Sequence, residues 1–240
     1  MDVQIISTFY RVIGFVCLKY NISMLRTMSE DDIRGFIELE GATRSERSNL
    51  EFKPPFTWGV RAEQPNGDIA TQEKVIKSIM GLNHHSLGGV LVIGIEEGQN
   101  HQPIIKGLNK EQFDSFQDTE AIFGIIDGFS SEKMYYEFST GKYPNSSGKL
   151  VDLVVVTVEQ FPNYITMCIK NGQSGLLKQG AVYIRPTTGQ PRTEEMSASE
   201  FRTLQDLATD NVQENLKNRG YVWNGISSSP ENRIADLEAE

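Results

Sequence analysis

The sequence predicts an α/β (α+β) fold in which helices flank a mixed β-sheet. Three observations carry this expectation. Val90 to Ile95 is apolar apart from one glycine, and reads as a strand buried on both faces, because a half-exposed strand would alternate. A helical pattern from Gln72 to Leu82 leads into it, with Val75, Ile76, Ile79 and Leu82 on one face. Later segments rich in β-branched and aromatic residues are separated by Gly, Asn, Pro or Ser clusters, as further strands are.

Taken in order, residues 1–28 read as an N-terminal extension of unknown role. The first eighteen are largely apolar, but Arg11 interrupts them and no basic region precedes them, which fits a signal peptide poorly. Two readings stay open: a helix or strand packed on the main domain, or an extension upstream of a body that starts near Met28. Residues 29–216 form the expected domain. Ser29 caps a helix to Leu39 with Ile33, Phe36 and Ile37 as its stripe and Gly41 as its end. Leu50 to Phe52 is a short strand, with Leu50 and Phe52 on one side and Glu51 and Lys53 on the other. Pro54 and Pro55 stop it, and Thr57 to Ala70 is a loop turning at Pro65-Asn66-Gly67.

Thr71 caps the next helix, and Gly88 and Gly89 turn the chain into the central strand. A helix is expected from Lys110 to Phe123. Strands are expected at Lys133–Ser139, Leu150–Val158, Tyr164–Lys170 and Ala181–Arg185, with Gly141–Gly148 as a hairpin loop. Glu194 to Lys217 reads as a long helix with Phe201, Leu204 and Leu207 on one face and Gly220 closing it. Residues 217–240 read as a flexible acidic tail.

Composition narrows the function. The net charge of −9 argues against a general polyanion binder, so a nucleic-acid contact would need a local basic patch. Two cysteines, Cys17 and Cys168, make no disulfide framework, and a reducing, cytoplasmic setting is expected. No run of eighteen apolar residues predicts a membrane span. The chain lacks a Gly-Lys-Ser/Thr phosphate loop, a Cys-x-x-Cys pair, a His-Glu-x-x-His helix and a Gly-x-Ser-x-Gly elbow. His84 and His85 are adjacent and His101 lies in a loop, so none has the spacing of a helical metal pair.

Carboxylates remain. Glu46 and Glu51 flank a strand start, and Glu96 and Glu97 follow the central strand, where α/β sheets place ligands. If the Leu50 strand pairs beside Val90 to Ile95, these acids converge, and Mg2+ or Mn2+ held among them can activate water for phosphodiester cleavage. The five-residue spacing of Glu46 and Glu51 needs a bend for both to face one site. Lys53 stands beside the cluster. Arg185 with Thr187 and Thr188 forms a donor-rich strand end suited to a phosphate. For each, an ordinary solvated surface residue is the competing reading.

In combination, Glu46-x4-Glu51-Phe52-Lys53, Leu82-Asn83, Gly88-Gly89, Leu91 to Ile95 with Glu96-Glu97, and Tyr183-Ile184-Arg185 with Thr187-Thr188 resemble the Schlafen AlbA-type domain family over residues 43–206. That resemblance implies a nucleic-acid-binding α/β domain, sometimes ATP-binding. In the vertebrate Schlafen proteins it implies a metal-dependent endoribonuclease acting on tRNA and rRNA. It places the nuclease acids at Glu46, Glu51 and Glu97, with Glu96 beside them, and Lys53, Asn83, Arg185, Thr187 and Thr188 among the nucleic-acid or phosphate contacts. The chain departs from the family in having Glu for Asp at the strand end, a longer stretch after Lys53, and an acidic net charge. RNA is expected over DNA as partner, and a homo-oligomer is left open. The alternatives are a non-catalytic regulatory or protein-interaction module and an ATP-binding transcriptional regulator.

Overall fold

The computed structural model describes residues 26–27, 29–38, 49–59, 68–98, 102–161, 164–186 and 192–219. The expectations on Glu46, Thr187, Thr188, His101, Gly41, the turn at 65–67, most of the N-terminal extension and the acidic tail beyond Arg219 lie outside these residues.

The fold is α+β, built on a mixed five-stranded sheet. Its strands are β1 (Arg26–Thr27), β2 (Leu50–Lys53), β3 (Gly89–Ile93), β6 (Tyr136–Pro144) and β7 (Leu150–Val158), in the order β1-β6-β7-β3-β2. β2 runs parallel to β3, with Glu51 opposite Leu91 and Lys53 opposite Ile93. β7 runs antiparallel to both β3 and β6. β3 is buried at every position, as its unalternating apolar run requires.

Side chains alternate across the sheet and split the core in two. On one face Leu91, Ile93, Val154, Val156 and Phe138 pack with Val75, Ile76, Ile79 and Leu82 of helix α2 (Ile69–Asn83). On the other, Leu50, Phe52, Val90, Val92 and Val155 pack with Ile33 of helix α1 (Glu30–Glu38). Ser29 caps α1 as expected: its hydroxyl accepts from Asp32 N–H at 3.1 Å.

Several boundaries differ from the sequence expectations, each for a local reason. α2 begins three residues early, because Asp68 rather than Thr71 is its cap and accepts from Thr71 N–H at 2.9 Å. The central strand breaks at Gly94, whose φ of 111° lies outside what an L side chain readily adopts. The chain then leaves the main sheet, and β4 (Ile95–Glu97) pairs with β5 (Pro103–Ile105) as a separate ribbon. The helix expected over Lys110–Phe123 is two helices, α3 (Lys110–Ser115) and α4 (Thr119–Asp127), because Phe116 turns into the core and Asp118 caps a new start.

β6 starts at Tyr136 and runs through Gly141 to Pro144, so the hairpin turn shrinks to residues 145–149. The Asn145 side-chain oxygen holds that turn by accepting from Lys149 N–H at 3.0 Å. Tyr164–Lys170 is no strand. Its one ladder contact is a bridge from Cys168 to Ser130, and the neighbouring Thr166 amide goes to a side chain. The expected strand at Ala181–Arg185 reduces to β8 (Tyr183–Ile184), paired with β9 (Glu194–Glu195). Those two glutamates were expected to start the last helix. Helix α5 instead spans Ala198–Asn218, opening where Glu200 accepts from Ser197 N–H at 2.8 Å.

Leu204 of α5 is buried, but Phe201 is 40% exposed, so the expected apolar face is only partly covered. The domain limits move slightly as well. Arg26–Thr27, expected in the extension, pair parallel with β6, and α5 passes residue 216. No helix among the described residues is long and apolar enough to cross a membrane.

Candidate functional site

Glu51 anchors the site. Alternation on β2 sends Leu50 and Phe52 into one core and turns Glu51 toward α2, where its side chain is only 5% exposed. A buried carboxylate needs partners for both oxygens. One oxygen takes the Lys53 ammonium and the Ser78 hydroxyl at 2.8 Å. The other takes the Arg185 guanidinium and the Thr193 hydroxyl at 3.3 Å. Arg185 also donates to Leu50 O at 3.0 Å, tying β8 to the edge of the main sheet. Burial pushes the Glu51 carboxyl up, but the Lys53 and Arg185 charges, with hydrogen bonds from Lys53 and Ser78, more than reverse this. Its pKa lies below the usual carboxylate value.

Two histidines follow α2. His84 is buried, and burial lowers its pKa to about 4 although the Tyr183 carbonyl pulls the other way. It is therefore neutral: Nδ1–H donates to Tyr183 O at 2.6 Å, and Nε2 accepts from Thr166 N–H at 2.9 Å. His85 accepts from Leu87 N–H at 3.2 Å through Nδ1, while its buried Nε2 has no hydrogen-bond partner among the described residues. Burial, then the Arg185 charge, lowers its pKa against the pull of Gly88. Gly88, with φ 63°, brings the chain so close to β7 that a Cβ there would sit 2.3 Å from Val158 O. The glycine pair thus lets β3 start tight against its neighbours.

The structure brings together Glu51, Lys53 and Arg185. It adds Ser78 and Thr193, which carry no motif and whose distance in sequence hid them. Glu96 and Glu97 ride on the β4–β5 ribbon instead. Glu96 is 43% exposed and lies 3.8 Å from Lys106. Glu97 is exposed. Asn83 is buried and engaged internally, donating to Glu159 O at 3.0 Å and accepting from Thr166 Oγ1 at 3.1 Å. A divalent ion takes several oxygen ligands. Both Glu51 oxygens already face cations, and no group of three His, Cys, Asp or Glu side chains among the described residues could hold a metal. Glu46, another expected ligand, lies outside the described residues, and no chemical step is assigned to Mg2+ or Mn2+.

A second buried carboxylate escaped the sequence reading. Glu73 on α2 is 3% exposed and accepts from Ser174 N–H at 2.8 Å, from the Ser174 hydroxyl and from Leu176 N–H at 3.2 Å. It anchors the loop before β8. Its sequence signal was only an acid on the buried side of a helix.

No family model and no curated protein sequence matches this chain. Among solved structures it has a distant likeness to the DIP2311 protein from Corynebacterium diphtheriae, at 12% identity and a TM-score of 0.39 over 69% of this chain. The chain spans 24% of that protein's length.

Proposed function

We propose that this domain binds nucleic acid, RNA in preference to DNA, in the manner of the Schlafen AlbA-type domains it resembles, in a reducing cytoplasmic setting. The observation that supports this most is the meeting of motif residues from opposite ends of the chain. Glu51 of the Glu-Phe-Lys strand pairs with Lys53 of the same strand and with Arg185 of the Tyr-Ile-Arg strand, 134 residues away. Lys53 keeps a side chain that is 13% exposed at the edge of the sheet, a local cation on an acidic chain.

The test is binding of labelled tRNA, rRNA fragments and single-stranded DNA, with and without manganese, by the wild type and Lys53→Gln. Salt-sensitive binding weakened by Lys53→Gln is expected; no binding by the wild type overturns the reading. Manganese-dependent cleavage lost in Glu97→Ala, at an exposed position, would replace simple binding with an endoribonuclease using Glu46, Glu51 and Glu97. Heat on titration with ATP would instead favour a nucleotide-binding regulator. Neither nucleic acid nor ATP binding would favour a protein-interaction module.

A further inference from the structure

Arg185, the arginine that the sequence offers to a phosphate, has a side chain with 0% exposure and is held by Glu51 and Leu50 O. A phosphate on the outside of the domain needs other cations. The neighbouring residue on the same face of the strand, Tyr183, contacts two lysines, one through its ammonium and one through its backbone. Lys77 of α2 sets its Nζ 5.0 Å from the centre of the Tyr183 ring. Lys178 begins at the other end of that ring, its backbone N–H donating to Tyr183 Oη at 2.7 Å. The tyrosine is itself fixed: its carbonyl accepts from His84, and its strand position is opposite Glu195.

These lysines differ from ordinary surface lysines. Lys77 is half-buried and forms no ion pair among the described residues. Like charges held near one another repel, and partial burial adds to the cost. Burial and then the Lys178 charge lower the pKa of Lys77, against the pull of Glu195, Glu194 and Glu51. Lys178 is 63% exposed and pairs with Glu195 at 2.8 Å, a bond open to exchange with another anion.

We propose that Lys77, over the Tyr183 ring, and Lys178, on the Glu195 that faces Tyr183 across the strand pair, bind a backbone phosphate, so that the strand crosses α2 toward β8 and β9. This rests on the nucleic-acid reading above and names contacts that the sequence did not. Glu195 is then a competitor for Lys178, and its removal frees that cation.

The experiment is fluorescence anisotropy of labelled single-stranded RNA against salt, for the wild type, Lys77→Gln, Lys77→Arg, Lys178→Gln, Glu195→Gln and, in the β6–β7 turn, Lys149→Gln. Each of Lys77→Gln and Lys178→Gln is expected to weaken binding about fourfold at 0.15 M salt and to reduce the salt slope by about 0.7, the share of one phosphate contact. Lys77→Arg and Lys149→Gln should bind as the wild type does, and Glu195→Gln should bind more tightly. Equal binding by all variants overturns this site and leaves the nucleic-acid reading standing. If the wild type binds no RNA, the nucleic-acid reading falls. Titration with inorganic phosphate, followed by the Lys178 and Tyr183 amide NMR shifts, then decides the anion site alone. Saturable shifts lost in Lys178→Gln uphold it, and unmoved amides overturn it.

Discussion

Glu51 and Glu73 are both buried carboxylates beside the same helix, and their surroundings differ in kind. Glu73 is satisfied by neutral donors: two backbone N–H groups and a hydroxyl from the loop at residues 174–176. Glu51 has hydroxyls too, from Ser78 and Thr193, but two full positive charges stand against it. Dipoles alone can hold a buried carboxylate, as Glu73 demonstrates. The ammonium and guanidinium at Glu51 are therefore more than burial demands, and burying an arginine has its own desolvation cost. Glu73 pins a loop. Glu51 is part of an assembly of charges that joins β2 to the strand end at Arg185.

The largest effect that would break this contrast is Glu51→Ala. It removes the Glu51 partner of a buried arginine and is expected to cost about 3 to 5 kcal/mol in chemical denaturation. A loss under about 1 kcal/mol would mean that the two cations are adequately solvated without it. Lowering the pH weakens the same assembly. Because the folded pKa of Glu51 lies below its ordinary value of 4.5, its stabilisation is present above that value and is lost as pH falls through the folded one.

His84 sharpens the comparison, since it is buried and kept neutral. Its pKa falls from 6.5 to about 4, so the folded state resists a proton that the unfolded chain takes up. Stability should hold above pH 6.5 and fall by roughly 3 kcal/mol as the pH drops to 4. Thermal unfolding across that range should show a flatter slope for His84→Gln. Glu73→Gln should cost less, about 1 to 3 kcal/mol, because it weakens dipolar bonds without stranding a charge. Hydrogen exchange should quicken at the Ser174 and Leu176 amides and stay unchanged in β7. Smallest is Ser78→Ala, about 1 kcal/mol, because Lys53 continues to serve the oxygen that Ser78 leaves. An effect as large as that of Glu51→Ala would make the hydroxyl, rather than the charges, the key partner.

Much of the scaffold was legible because burial writes itself into local pattern. Leu150–Val158 matches β7, and the apolar face of α2 is the one that packs. The break at Gly94 was hidden because the apolar run continues through Ile95 across the change of sheet. Tyr164–Lys170 carries strand-like residues, but its backbone groups are divided among side chains, one bridge to Ser130 and bonds with Gly180 and Ala181 rather than a ladder. In the site, the alternation of β2 put Glu51 and Lys53 on one side, and Arg185 stood out at a strand end. Their mutual contact could not be read, because it joins positions 134 residues apart. Nothing in an acid on a helix announces that Glu73 will meet Ser174, 101 residues later.

That long separation has a consequence for how the molecule comes into being. Closing a loop of 134 residues carries an entropic cost of about 4 kcal/mol, before a constant term, and contacts this remote form slowly. A chain emerging from the ribosome N-terminus first presents β2 long before β8 exists. Until then Glu51 has only near neighbours for partners, and hydration competes with its burial. The edge of the sheet therefore docks late, and the site is completed only when the last third of the domain arrives. No shorter folding intermediate carries the complete Glu51 cluster, so its charges meet only as folding ends.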